Sequence, residues 1–275
     1  MILDLSMWIW LPLALAIALA FIQQTKVSLG LLGLTLVGAL IEQRLTVSGL
    51  VGMLVGLFVA YRAPSLERKW QIGAYAFIFV WCVALFLHLI PGFTNAKVLD
   101  AVVSGPLSIP FTMYLNLDKP FIFFGLLLAY PAILGSKTTF NKKAILLTAI
   151  PLFSLLPMAW GLGALKPEFS LPSWWWLFAL NNLLLTCVAE EAFFRGFVQQ
   201  SLSKRFGWIV GIAIASVLFG LAHIGGGLLL VAFATLAGVG YGLAFHYSSR
   251  LWVAVLFHFL FNFFHLVFFT YPMMK

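Results

Sequence analysis

The chain has 275 residues, 63% of them hydrophobic and only 9% charged, with a mean hydropathy of +1.06. Soluble globular domains carry roughly 25% charged residues, so this composition excludes one. The formal net charge of +8 arises from 16 Lys and Arg residues scattered between apolar runs with no basic face, which excludes nucleic acid as a partner and leaves loop charges that orient a chain in a bilayer.

Apolar runs of about 15 to 23 residues recur along the whole length, enough to cross ~30 Å of hydrocarbon at ~1.5 Å per residue. They are continuously apolar and not alternating, which specifies helices and not a barrel. The expected fold class is therefore all-α, a polytopic transmembrane helix bundle of about 8 to 10 spans. In chain order the spans are placed at 7–23, 28–42, 46–62, 71–91, 120–135, 144–165, 173–200, 208–224, 227–246 and 251–271. The first is read as retained, because Asp4 and the lack of Lys or Arg before its apolar run do not make the positive start of a cleaved signal. The connection 92–119 is the longest polar one, and its apolar middle is expected to lie along the membrane surface. Pro131, Pro151 and Pro157 fall inside spans and predict kinks. Cys82 and Cys187 lie in separate apolar runs without CxxC spacing, and read as packing residues.

Ten basic residues, including Arg62, Arg68, Lys69, Lys137, Lys142 and Lys143, fall in odd-numbered connections. Five fall in even-numbered connections and the C-terminus: Arg44, Lys97, Lys119, Lys166 and Lys275. The bias places the odd connections in the cytoplasm and both termini outside. No internal repeat is visible, which argues against the duplicated architecture of many transporters.

The stretch 189–197, AEEAFFRGF, concentrates charge inside an apolar helix. A carboxylate near the bilayer centre costs about 2.5–3.5 kcal/mol on insertion scales, so two adjacent ones require a partner or a function. Residues four apart share a helix face, which pairs Glu191 with Arg195. Glu190 points ~100° away and has no cation at helical spacing. It is the candidate proton acceptor. The competing reading is a solvated Glu–Arg network at the membrane edge. In VLFGLAHIGGG, His223 follows Phe219 by one turn and ends a helix ahead of Gly225, Gly226 and Gly227; a broken backbone at membrane depth is tolerated only inside protein or beside a cavity. In LFHFLFNFFH, His258 and Asn262 stack one turn apart as a donor pair able to hold an oxyanion, or simply to bond a neighbouring helix. His265, seven residues after His258, shares that face as a lower-ranked member.

The ordered set EEAFFR (190–195), FGLAH (219–223) and HFLFN (258–262) resembles the CAAX prenyl endopeptidase and bacteriocin-immunity (Abi, CPBP) family of intramembrane proteases, over roughly residues 170 to 270. The resemblance implies that Glu190 and His223 activate a water for attack on a peptide carbonyl, that His258 and Asn262 stabilise the oxyanion, and that Glu191, Arg195 and Phe219 brace the site. It divides the chain into N-terminal transmembrane helices of unassigned role (1–165) and a catalytic domain (166–275). It also implies a membrane-associated protein or peptide substrate, prenylated or not, in the bilayer of a bacterial inner membrane. Glu and His can ligate zinc, but no His-x-x-x-His or His-Glu-x-x-His pair occurs, so no cofactor is expected, with a divalent metal as the open alternative. Two other function classes compete: an ion- or proton-coupled transporter, disfavoured because the intramembrane ionisable residues gather in the last hundred positions apart from His88, and a catalytically silent immunity or scaffold protein.

Overall fold

The computed structural model describes residues 5–136 and 140–275; Asp4 and Lys137 lie outside the described residues. The described residues form ten apolar helices: α1 (Trp10–Phe21), α2 (Thr25–Ile41), α3 (Val47–Arg62), α4 (Arg68–Phe86), α5 (Pro120–Ala129), α6 (Lys142–Gly161), α7 (Trp175–Phe206), α8 (Trp208–Leu221), α9 (Leu228–Ser248) and α10 (Leu251–Phe268). Six of these helical stretches are long and apolar enough to cross a membrane. Large apolar side chains such as Leu146, Ile150 and Leu228 are exposed while Glu191 and Arg195 are buried, the reverse of a water-soluble fold. The all-α polytopic bundle is therefore the fold of an integral, multi-pass membrane protein.

Local sequence explains the helix ends. The Thr46 and Asn141 side chains accept from Gly49 N and Ala144 N, capping α3 and α6. α5 opens on Pro120, and Gly207 and Gly227 take φ of 88° and 89° between successive helices, a region that glycine enters without steric cost. Pro151 and Pro157 lie inside α6 as expected. Pro131 does not lie inside a helix: α5 stops at Ala129 and Tyr130 is extended, the conformation that a following proline imposes. The 92–119 connection carries a feature that its composition did not suggest, a two-stranded sheet of β1 (Ala96–Val102) and β2 (Phe111–Leu115). Cys82 and Cys187 are buried free thiols, as packing residues should be.

The chain separates into two compact units. One comprises residues 1–100, 112–131 and 184–189. There, α3, α4 and α5 close on Trp81: a Cβ on Gly56 or Gly125 would lie 2.1 or 2.6 Å from that indole. The other comprises 101–111, 132–183 and 190–275. It includes α6, which packs on α9 where Gly240 lets Leu152 approach.

Candidate active site

Every candidate site residue lies in the second unit. α7 carries Glu190, Glu191 and Arg195, but it is not a uniform α-helix. Asn181–Cys187 and Ala192–Gln199 are π-helical, with one α turn, Val188–Glu191, between them. The Gln200 N–H accordingly reaches the Arg195 carbonyl five residues back. Wide turns of this kind are rare and concentrate at functional sites.

Arg195 is fully buried and donates through Nη1 to Glu191 Oε1 at 3.0 Å and through Nη2 to the Gly238 carbonyl at 3.0 Å. Its guanidinium also lies over the rings of Phe219 (4.6 Å) and Tyr241 (5.2 Å). Four residues on, Gln199 Nε2 donates to the Gly242 carbonyl at 3.0 Å, so two side chains one turn apart on α7 grip two carbonyls one turn apart on α9. Glycine is needed at both positions: a Cβ on Gly238 would stand 3.2 Å from Arg195 Nη2, and one on Gly242 would stand 2.9 Å from Gln199 Oε1. With neither Glu191 nor Arg195 exposed at all, the solvated edge network is excluded.

Glu191 has a second partner in α10. His258 Nδ1 lies 2.8 Å from the same Oε1, and because a carboxylate oxygen only accepts, Nδ1 carries the proton. His258 Nε2 is thereby turned towards Glu190, 4.0 Å from Oε2, and the ring is stacked on Tyr241 at 4.6 Å and 14°. Glu190 is the more accessible carboxylate, with its side chain 14% exposed against none for Glu191. Arg195 thus pairs with Glu191, the fully buried one of the two carboxylates, as a charge kept in low dielectric requires.

The other motif residues sit at graded distance from this cluster. Phe219, nearly fully buried, is the shared wall: its ring centroid is 4.7 Å from His223 and 5.5 Å from His258. His223 lies in the turn just past α8, partly buried, with Nδ1 donating to the Phe219 carbonyl at 2.8 Å, which leaves Nε2 as its accepting nitrogen. Among the described residues it makes no hydrogen bond or ion pair with Glu190 and joins the cluster only through Phe219. Asn262 Nδ2 donates to Asn182 Oδ1 at 3.3 Å, on the first π segment of α7. His265 is not brought to the site: its Nε2 donates to the Thr270 carbonyl at 3.1 Å, because seven residues place it on the face of His258 but ~10 Å further along α10. Glu191 Oε2, Arg195 Nε and Ser216 Oγ are buried without a protein partner, positions that water ordinarily satisfies.

Tyr241, Gly238, Gln199 and Asn182 complete the site without having been singled out in the sequence. The signals were present: GVGYG at 238–242 is a small-residue helix face, and Gln199 repeats the Arg195 position one turn later. Among the described residues no three His, Cys, Asp or Glu side chains are grouped to hold an ion, and Glu191 Oε1 is committed to two donors.

Residues 172–264 match the family model of type II CAAX prenyl endopeptidases, Rce1-like. No curated protein and no solved structure matches the chain.

Proposed function

We propose that this chain, whose residues 172–264 match the Rce1-like family model of type II CAAX prenyl endopeptidases, is an intramembrane endopeptidase that uses Glu190 to activate water. The observation that carries the reading is the His258 bridge between the two glutamates, 2.8 Å from Glu191 and 4.0 Å from Glu190. A structural carboxylate fixes the imidazole and aims its other nitrogen at an accessible carboxylate, the arrangement by which a buried partner orients a catalytic histidine.

In the proposed reaction Glu190 takes a proton from a water that His223 Nε2 orients by accepting its second hydrogen. The hydroxide adds to the peptide carbonyl. Protonated His258 donates from Nε2, and Asn262 from its amide, to the resulting oxyanion. As the C–N bond breaks, the proton on Glu190 passes to the leaving amine and the carboxylate is restored. Glu191, Arg195 and Phe219 position these groups and do not exchange protons with substrate. Donors preset at an oxyanion are worth about 2.7–4 kcal/mol each in hydrolases, so loss of either Asn262 or His258 carries a rate penalty of 10²–10³.

Residues 166–275 form the catalytic domain in this reading, and the substrate is a membrane-associated protein or peptide reached from the cytoplasmic side of a bacterial inner membrane. Comparison of membrane proteomes and released peptides from cells expressing the parent or Glu190→Gln protein tests it. Cleaved termini found only with the parent support the assignment, and identical sets from both remove it.

A further inference from the structure

In the second unit, the segments before α6 and between α9 and α10 close against the end of α7. Gln200 Nε2 donates to the Ala132 carbonyl at 2.9 Å, Ser136 N to Ser249 O at 2.8 Å, Leu251 N to Leu134 O at 3.1 Å and Asn141 N to Tyr247 O at 2.9 Å. A cavity of about 200 Å³ lies between these segments. Its lining is polar: Lys204, His246, Gln199 and the hydroxyls of Ser136, Ser203 and Ser249, with Ala132 and Phe245 as the apolar side chains.

The charge around the cavity has one sign. Lys142 and Lys143 start α6, Lys204 and Arg205 lie in the last turn of α7, and Arg250 precedes α10, whereas these segments carry no Asp or Glu: the carboxylates of the second unit are Glu168, Glu190 and Glu191. Such a cationic end draws an anion. The lining sets the kind. An ammonium and three hydroxyls can all donate to phosphate oxygens, while the His246 ring is fixed by its stack on Trp208 at 4.5 Å and 16°. Gln199, 3% exposed, adds a demand of its own. Its Nε2 is committed to the Gly242 carbonyl and its Oε1 has no protein partner, an acceptor that calls for a hydroxyl on the same ligand. Depth points to the carrier: Trp208 and Trp252 are exposed at this end, and Phe140 stacks on Trp252 at 6.4 Å, as aromatic side chains do at headgroup level. Size excludes the acyl chains. A cavity of ~150 Å³ accommodates a benzene-sized molecule, so this one takes a phosphate with a short polar substituent and little more.

We infer that this cavity binds a phosphoglycerol group, carried by the headgroup of an anionic phospholipid or free as glycerol phosphate, with Lys204 on the phosphate and Gln199 accepting from a glycerol hydroxyl. Native mass spectrometry of the full-length protein in detergent, with phosphatidylglycerol or phosphatidylcholine added, counts and ranks the lipids retained. Thermal shifts with glycerol 3-phosphate and with inorganic phosphate report soluble occupants, since a ligand of the folded state raises its stability. Lys204→Gln is compared with Lys204→Arg and with the rim variant Lys142→Gln/Lys143→Gln, all at exposed positions where folding is not at stake.

The expected result is one phosphatidylglycerol held about tenfold more tightly than phosphatidylcholine. Lys204→Gln should weaken it about tenfold, as the loss of one charge-assisted contact to phosphate requires, while Lys204→Arg and the rim variant stay within about threefold of the parent. Stabilisation by glycerol 3-phosphate that Lys204→Gln abolishes, with no lipid retained, would assign the same cavity to the soluble ligand. Equal stabilisation by inorganic phosphate and glycerol 3-phosphate would overturn the Gln199 contact. Equal retention of both lipids without a response to either soluble phosphate, retention unchanged by Lys204→Gln, or equal losses from Lys204→Gln and the rim variant, as a diffuse basic surface gives, would each overturn the site.

Discussion

Replacing Arg195 by alanine removes the cation from the centre of the cluster, and the structure sets the size of the effect. The side chain is fully buried, makes hydrogen bonds of 3.0 Å to Glu191 and to the Gly238 carbonyl, and covers the faces of Phe219 and Tyr241. Truncating one partner of a buried pair costs about 3–5 kcal/mol, chiefly because the other charge is left uncompensated. Here Glu191 keeps the His258 donor at 2.8 Å, which can carry a proton and neutralise it in part, so the lower end, about 3 kcal/mol, is expected. The double variant Glu191→Gln/Arg195→Met removes both charges and is expected to lose less than the sum of the single variants, with a coupling of about 1–3 kcal/mol. Reversible unfolding by SDS titration in mixed micelles measures all three free energies. A single Arg195→Ala variant within about 1 kcal/mol of the parent, the median value of an exposed ion pair, would refute the buried-pair reasoning.

Three further outcomes follow from the same geometry. Tyr241→Leu removes the stack under His258 at 4.6 Å, worth about 0.5–1.5 kcal/mol beyond burial, and should lower kcat up to about tenfold with KM little changed in single-turnover assays. Gly238→Val would set a Cβ 3.1 Å from Ser216 Cα and 3.2 Å from Arg195 Nη2, forcing α8 and α9 apart; a loss of about 1–3 kcal/mol is expected in the same SDS titration. Prolonged dialysis against EDTA should leave proteolysis within about twofold of the untreated protein, since Glu191 Oε1 is occupied by two donors; a loss of activity that zinc restores would contradict the metal-free reading.

The sequence made the strongest local contacts visible and the composite ones obscure. Glu191 and Arg195 meet because four residues of separation suffice even where the helix widens, and His258 was marked out by its polar head in an aromatic span. The π-helical segments of α7 were not legible, since an apolar run with a 3.6-residue period reads the same whether or not a turn is widened. The α7–α9 grip escaped notice because its acceptors are backbone carbonyls, which no residue type announces; only the GVGYG spacing hinted at close approach. His265 was placed on the correct face of α10, but a shared face does not imply a shared height. The β1–β2 pair was hidden in a connection whose strands are too short and too mixed in polarity to show alternation.

The central claim is that Glu190 delivers a water oxygen to a peptide carbonyl inside this helix bundle. Cleavage of a palmitoyl-anchored peptide by the nanodisc-embedded protein in H₂¹⁸O, read by mass spectrometry of the new C-terminus, addresses it most directly. One ¹⁸O per cut with the parent and no cut with equally folded Glu190→Gln protein is the predicted result. Undiminished ¹⁸O-labelled product from the Glu190→Gln protein would contradict it.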